Sequence, residues 1–221
     1  MLARSFIITE DGSHSLFVPE LKEHYHSTHG ALQESKHVFI DAGLKQIKLQ
    51  TINVLEVGMG TGLNAFLTML YTEENQMMIN YYGIEKYPLT PEEYQTLNYA
   101  QLTSSVHQPL LVAIHESEWN TPIKLTSNFH ITKIQDDITT CTFNHLPCFD
   151  LVYFDAFAPN KQAKVWDKSI FKKIVEHCNT GAIFVTYCAK GVVRRDLQEA
   201  GFRVERIQGP PGKNEMIRGF K

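Results

Sequence analysis

A mostly parallel β-sheet covered by helices on both faces, with an antiparallel hairpin at its C-terminal edge, is the fold this sequence predicts. Three observations predict it. From residue 52 onward, short apolar runs alternate with helical patterns, as in sheets whose strands are buried on both sides. The first of those runs ends in a glycine loop that opens a helix. The last two runs flank Gly209-Pro210-Pro211-Gly212, a turn that allows neighbouring strands to pair as a hairpin. The 221 residues, 43% hydrophobic and 20% charged, suit one sizeable α/β domain with a small appendage and exclude a disordered or collagenous chain.

Residues 4–19 (RSFIITEDGSHSLFVP) predict two short alternating strands about an Asp11-Gly12 turn. Over 29–44, Ala31, Leu32, Val38, Phe39 and Ala42 predict a helix stopped by Gly43. Residues 1–50 are therefore expected to be an extension packed on the core, and residues 51–221 the main domain. In that domain 52–57 predicts a strand, LNAFLTML (63–70) a helix, 81–84 a strand and Pro91 to about Tyr99 a helix. A weakly patterned stretch follows near 100–125. Strands are predicted at 129–134 and 149–154, a helix around 166–178, a strand at 182–187, a helix at 192–200, and strands at 202–207 and 215–220.

Arg4, Glu10, Asp11 and Glu20 interrupt the first twenty residues, so no signal peptide is expected, and no apolar run approaches the roughly 20 residues of a membrane span. A cytoplasmic location without membrane association is the expectation. Cys141, Cys148, Cys178 and Cys188 form no CxxC pair and read as buried reduced thiols. Net charge is −3 overall, but −10 over residues 1–158 and +7 over 159–221. A basic final third on an acidic body suggests a polyanion docked on one side, with ordinary solvated helix faces as the alternative.

Glu56-Val57-Gly58-Met59-Gly60-Thr61-Gly62 stands where strand passes to helix. Glycines let backbone approach a ligand closely, and the helix N-terminus offers free N–H groups. A nicotinamide-type G-x-G-x-x-G needs glycine at 63, which is Leu63; the E-x-G-x-G-x-G spacing is instead that of S-adenosylmethionine (SAM) binding. Glu85, 23 residues past Gly62 at a strand end, is placed to accept from a ribose diol. Asp136 or Asp137, after the third strand, is placed for an adenine amino group, the choice staying open. Asp155, in Asp155-Ala156-Phe157-Ala158-Pro159 at the end of the fourth strand, is the candidate for managing a methyl acceptor, the alternative being a helix cap. Phe157 is a candidate to stack on a base. His24, His26 and His29 lack a fourth ligand at credible spacing, so no metal is expected.

Together LEVGMGTGLN (55–64), YYGIEKYPL (81–89), FDLVYFDAFAPNKQAKVW (149–166) and VVRRDLQEAGF (192–202) resemble the methyltransferase part of the MnmC family, bacterial enzymes that finish 5-methylaminomethyl-2-thiouridine at the tRNA wobble position. Tyr25-His26-Ser27, Gly30-Ala31 and 34–40 are similar to that family's N-terminal segment. The resemblance implies a Rossmann-like SAM-dependent methyltransferase fold. It also implies a SAM site at Glu56, Gly58, Gly60, Asn64, Glu85, Lys86 and Asp136 or Asp137, with Asp155 catalytic and S-adenosylhomocysteine as product. Two-part members carry an FAD-dependent oxidase after the methyltransferase. This chain ends at Lys221, so the expectation is no FAD and an aminomethyl-uridine made elsewhere, with a separate oxidase or other tRNA-modifying enzyme as a partner.

The acceptor expected on these grounds is the amine of 5-aminomethyl(-2-thio)uridine in the tRNA anticodon arm. Tyr25 and Phe157 would face the base. Lys161, Lys164, Arg194 and Arg195, with Lys168 and Lys213, would grip phosphates. The competing readings are an aminopropyl transferase using decarboxylated SAM and a non-catalytic module that presents tRNA to an oxidase.

Overall fold

The computed structural model describes residues 2–221; Met1, the first residue of the expected 1–50 extension, lies outside the described residues. The chain opens with β1 (Ser5–Ile8), β2 (His14–Val18) and β3 (Glu23–His24), an antiparallel three-stranded sheet. Gly12, at φ 81°, supplies the left-handed residue that the β1–β2 turn needs. β3 was not expected, because two residues carry no readable alternation. The predicted 29–44 helix is α1 (Ala31–Ser35) running into a π-type turn at Lys36–Asp41, after which Gly43 opens a 3-10 turn at Leu44–Gln46.

The main sheet holds β4 (Thr51–Val57), β5 (Met78–Ile84), β6 (Pro122–Lys124), β7 (Phe129–Ile134), β8 (Phe149–Phe154), β9 (Cys178–Thr186), β10 (Arg203–Gln208) and β11 (Glu215–Phe220). Their order across the sheet is β10-β11-β9-β8-β4-β5-β7-β6. The inner pairs β7–β5, β5–β4, β4–β8 and β8–β9 are parallel. Both edges are antiparallel, β11 against β9 and β10 on one side and β6 against β7 on the other. From β4 the chain winds out to β5 and β7, then returns to place β8 and β9 on the other flank. The boundary between β4 and β8 is therefore the topological switch point, where open α/β sheets form a ligand crevice beyond the strand C-termini.

Helices α2 (Leu63–Asn75), α3 (Pro91–Gln95), α4 (Tyr99–Thr103), α5 (Gln108–Glu116), α6 (Lys168–Glu176) and α7 (Gly191–Ala200) cover the sheet. Strand alternation divides the core in two. Val54, Tyr81, Leu151 and Tyr153 pack with Phe66 and Met69 of α2 on one face. Leu55, Val57, Val152 and Phe154 pack with Phe171 of α6 and Leu197 of α7 on the other. The first fifty residues join the first face, where Val38, Phe39 and Leu44 are fully buried. Burial of that kind stabilises by about 1.5–3 kcal/mol per large side chain.

Several boundaries differ from the sequence reading. The predicted 91–99 helix is two: α3, opened by a Thr90–Glu93 capping box, and α4, separated by a break at Thr96–Asn98. The weakly patterned 100–125 stretch holds α4, α5 and β6. α5 buries only Leu111 and Ile114, too few to print a helical period. β9 begins at Cys178 rather than 182. All four cysteines are free, but only Cys141, Cys178 and Cys188 are buried; Cys148 is exposed, because it precedes β8 on a surface loop. No helix among the described residues is long and apolar enough to cross a membrane.

Candidate active site

The C-terminal ends of β4, β5 and β8 meet at a cavity of about 730 Å³, within the roughly 300–1,000 Å³ usual for small-molecule sites. Two glycines shape its floor. Gly58 has φ 86°, and a Cβ on it would stand 2.7 Å from the Asp155 carbonyl oxygen. The β4 and β8 loops therefore touch backbone to backbone, which a side chain would prevent. Gly60 has φ 51°, and its Cβ would meet the Tyr25 ring at 2.9 Å.

Beneath the floor lies a polar chain built from β4, β5, β8 and the first turn of α2. Glu56, fully buried, accepts from the Tyr81 hydroxyl at 2.7 Å and from Asn64 Nδ2 at 2.8 Å. The same Asn64 nitrogen donates to Asp155 Oδ2 at 2.8 Å. Burial pushes the Glu56 carboxyl well above its usual range, against the two hydrogen bonds it accepts. Burial also raises Asp155, to about 7, with the charge of Glu34 adding to the rise and Asn64 and Lys213 opposing it. One amide thus orients two carboxyl groups, and Asn64 Oδ1 is left buried without a partner.

On the β5 side, Glu85 accepts from the Gly60 N–H at 2.9 Å and the Tyr87 N–H at 2.7 Å. Lys86 Nζ bonds Asp137 Oδ2 at 2.9 Å. Burial raises the Asp137 carboxyl, but the hydrogen bonds from Lys86 and Thr139 outweigh it and bring it down to about 2. The β8 loop is fixed by Trp166, whose indole N–H donates to the Phe157 carbonyl at 2.7 Å, and by Gln162, which accepts from the Phe157 N–H at 3.1 Å. Phe157 meets Tyr25 edge to face at 4.9 Å, and Arg4 Nε holds the Tyr25 hydroxyl at 2.8 Å.

The structure brings most of the predicted residues together. Gly58, Gly60, Tyr25, Glu85, Lys86, Asp137, Asp155, Phe157, Lys161 and Lys164 line the cavity. Glu56 and Asn64 lie one layer below. Asp136, Lys168, Arg194 and Arg195 do not line it either. Asp136 accepts from the Asp137 N–H, and Arg194 and Arg195 sit on α7. Four cations of the basic third are held in ion pairs, three of them by acidic residues of the same third. Lys168, Arg206, Lys213 and Arg218 pair with Glu199, Glu215, Glu34 and Glu205.

His26, Glu34 and Tyr187 also line it; the first two stood in segments noted in the sequence without a catalytic or cofactor role, and Tyr187 carried no signal. His26 is buried against Ser15 Oγ at 3.1 Å and Thr61 Oγ1 at 3.3 Å, and burial lowers its pKa to about 4. His24 instead packs on Phe17, and His29 pairs with Glu10 at 3.0 Å, so the three histidines face different partners. Tyr187 donates to the Ala156 carbonyl at 2.8 Å, and Lys213 Nζ lies 4.0 Å from its ring centroid. Spacing in a sequence gives no hint that residues 34, 187 and 213 meet.

Comparison with known proteins agrees with this geometry. A model of an S-adenosyl-L-methionine-dependent methyltransferase family matches residues 85–221. The chain is 28% identical over 231 residues to the tRNA 5-methylaminomethyl-2-thiouridine biosynthesis bifunctional protein MnmC of Burkholderia thailandensis, covering 97% of this chain and 34% of that protein. MnmC of Burkholderia mallei is equally similar, with 35% of it covered. The chain thus spans about a third of the length of the curated relatives it matches. MNMC2 from Aquifex aeolicus superposes with a TM-score of 0.79 at 23% identity, over 100% of this chain and 71% of that one, which establishes the shared fold.

Proposed function

Because the chain belongs to the family of S-adenosyl-L-methionine-dependent methyltransferases, we propose that it methylates the primary amine of 5-aminomethyl(-2-thio)uridine at the tRNA wobble position. We read residues 1–50 as an extension of the catalytic domain formed by 51–221. The observation that carries the proposal is Asp155: a carboxyl group at the floor of the switch-point cavity, held by Asn64 and poised at about 7. The name of the Burkholderia relatives, which refers to 5-methylaminomethyl-2-thiouridine in tRNA, supports the acceptor.

The residues present fit the methyl donor. Gly58 and Gly60 leave a cradle that a Cβ would fill. Asn64 Oδ1 is a buried acceptor without a partner beside the glycine loop, suited to the donor's amino group. Glu85, oriented by two backbone N–H groups, is assigned to the ribose diol. Asp137, rather than Asp136, is assigned to adenine, with Lys86 beside it. Bound SAM supplies an electrophilic methyl on a sulfonium sulfur, which leaves as a neutral thioether.

The chain's own part is orientation and one proton. The Asp155 carboxylate accepts a hydrogen bond from the acceptor amine, aims its lone pair, and takes the proton released as the new N–C bond forms. Tyr25 and Phe157 flank the base, and Lys161 and Lys164 on the rim meet phosphate. Because burial holds Asp155 protonated up to about 7, the slope of log kcat/KM against pH is expected to be steeper by about one below 7 than above it, on top of the rise that deprotonation of the acceptor amine itself causes. A slope that does not change across pH 5.5 to 8.5 would remove Asp155 from the proton step.

The test of the acceptor is incubation with SAM and tRNA lacking the terminal modification, followed by digestion to nucleosides. A new N-methylated 5-aminomethyluridine is expected. Normal SAM binding without that product sinks the acceptor assignment, and turnover with decarboxylated SAM and a polyamine in its place would install the aminopropyl reading. The Lys161→Glu/Lys164→Glu protein is expected to raise KM for tRNA about 10–100-fold and to reduce the slope of log affinity against log salt by one to two, with the SAM Kd unchanged. An unaltered salt slope would move the phosphate grip elsewhere.

A further inference from the structure

Glu34 and Lys213 come from opposite ends of the chain, yet they meet on the cavity wall with Nζ and Oε1 2.6 Å apart. Glu34 lies on α1, and its side chain is only 8% exposed; its second oxygen accepts from the Ser27 N–H at 2.7 Å. Lys213 lies on the β10–β11 loop, and its side chain is 33% exposed. Its ammonium stands over the Tyr187 ring. An ammonium has three N–H donors; one goes to Glu34 and one side rests on Tyr187, which leaves donor capacity open to the cavity. The Glu34 carboxylate likewise has lone pairs beyond the two in use. Glu34, Lys213 and Asp155 all line the same cavity.

A uracil carrying an aminomethyl group at C5 presents, in order around its ring, an amine, the O4 acceptor and the N3–H donor. Asp155, Lys213 and Glu34 offer an acceptor, a donor and an acceptor. We propose that Lys213 and Glu34 read the edge of the acceptor base, a Lys213 N–H donating to O4 and a Glu34 oxygen accepting from N3–H, so that uracil is taken and cytosine refused. This rests on the acceptor proposed above and names the residues that select its base. Cytosine reverses both contacts: its N4 amino group sets N–H against the Lys213 ammonium, and its bare N3 sets a lone pair against the Glu34 carboxylate. Sites built to pair with a polar edge reject an analogue that leaves their own groups unpaired. A pair serving only to pin the β10–β11 loop to α1 has no reason to face the cavity with donors to spare.

The experiment uses two anticodon stem-loop RNAs, one with 5-aminomethyluridine and one with 5-aminomethylcytidine at the wobble position. Single-turnover methyl transfer to each is measured with the wild-type protein, Lys213→Gln and Glu34→Gln, and SAM affinity is measured by calorimetry. The wild type is expected to favour the uridine RNA by about 10²-fold or more. Each variant is expected to bring that ratio to within about tenfold of unity, with the SAM Kd moved less than threefold. Variants that slow both RNAs equally, keeping the wild-type ratio, overturn the proposal and leave the pair a strut. If the wild type methylates both RNAs alike, the edge reading falls while the amine acceptor survives; if it methylates neither, both fall. Should Glu34→Gln fail to fold, the more exposed Lys213→Gln carries the same comparison.

Discussion

Asp155→Asn is expected to lower the single-turnover rate of methyl transfer about 10²–10⁴-fold while leaving SAM affinity within a few-fold of wild type. The amide keeps the shape of the carboxylate and an oxygen to accept from Asn64 Nδ2, but it cannot take a proton. Its effect on stability should run the other way. The folded-state pKa of Asp155 is about 7 against an ordinary value of 3.8. Between those values the native state therefore binds more protons than the unfolded one, and stability falls as pH rises through the window, then stays level above it. At pH 8 the wild type holds a buried charge that asparagine lacks. The variant is expected to be more stable there by about 1–3 kcal/mol, roughly 3–10 °C in Tm, with the gain vanishing near pH 4. A variant equally destabilised at both pH values would make Asp155 a structural residue.

Gly58→Ala is the second substitution with a large expected effect. Its Cβ would stand 2.7 Å from the Asp155 carbonyl oxygen and 3.1 Å from the carbonyl carbon, and φ is 86°. The obstacle is backbone, so no rotamer change relieves it. A non-glycine residue at such a φ costs about 1–3 kcal/mol, and separating the loops adds to that. Thermal unfolding should move down by about 3–10 °C. Since the displaced atoms belong to Asp155 itself, methyl transfer should fall at least tenfold in the protein that remains folded at 20 °C. Gly181→Ala serves as the control: it has φ 84° but open space around its Cβ, so it should cost stability through strain alone and spare turnover. Equal turnover in the two variants would show that the glycine loop does not set the position of Asp155.

The reach of the sequence is uneven for physical reasons. β4 and β8 stood out because a strand buried on both faces must be mostly apolar, and β5 and β7 because their apolar residues alternate. The glycine loop stood out because only glycine tolerates both its left-handed φ values and its contact with the next strand's backbone. Trp166 and Gln162 were visible only as part of a motif; the structure gives them work, bracing the peptide groups of Phe157. α5 and β6 stayed hidden because each buries two residues or fewer. Asp136 and Asp137 were inseparable by type and spacing, and a one-residue turn puts just one of them on the cavity.

Local chemistry written along the chain was enough to specify the parallel sheet, the glycine loop at its carboxyl edge and the aspartate closing the fourth strand. Each depends on residues within a few positions of one another, whose backbone preferences and burial are set by their immediate neighbours. The pairing of Glu34 with Lys213 and the amide bridge from Glu56 to Asp155 are different in kind. They join residues as far as 179 positions apart, and such contacts exist only after β4 and β8 have come side by side and the terminal hairpin has closed over α1. The electrostatics of Asp155 belongs to that second group, since a carboxyl group acquires its pKa from whatever surrounds it in space.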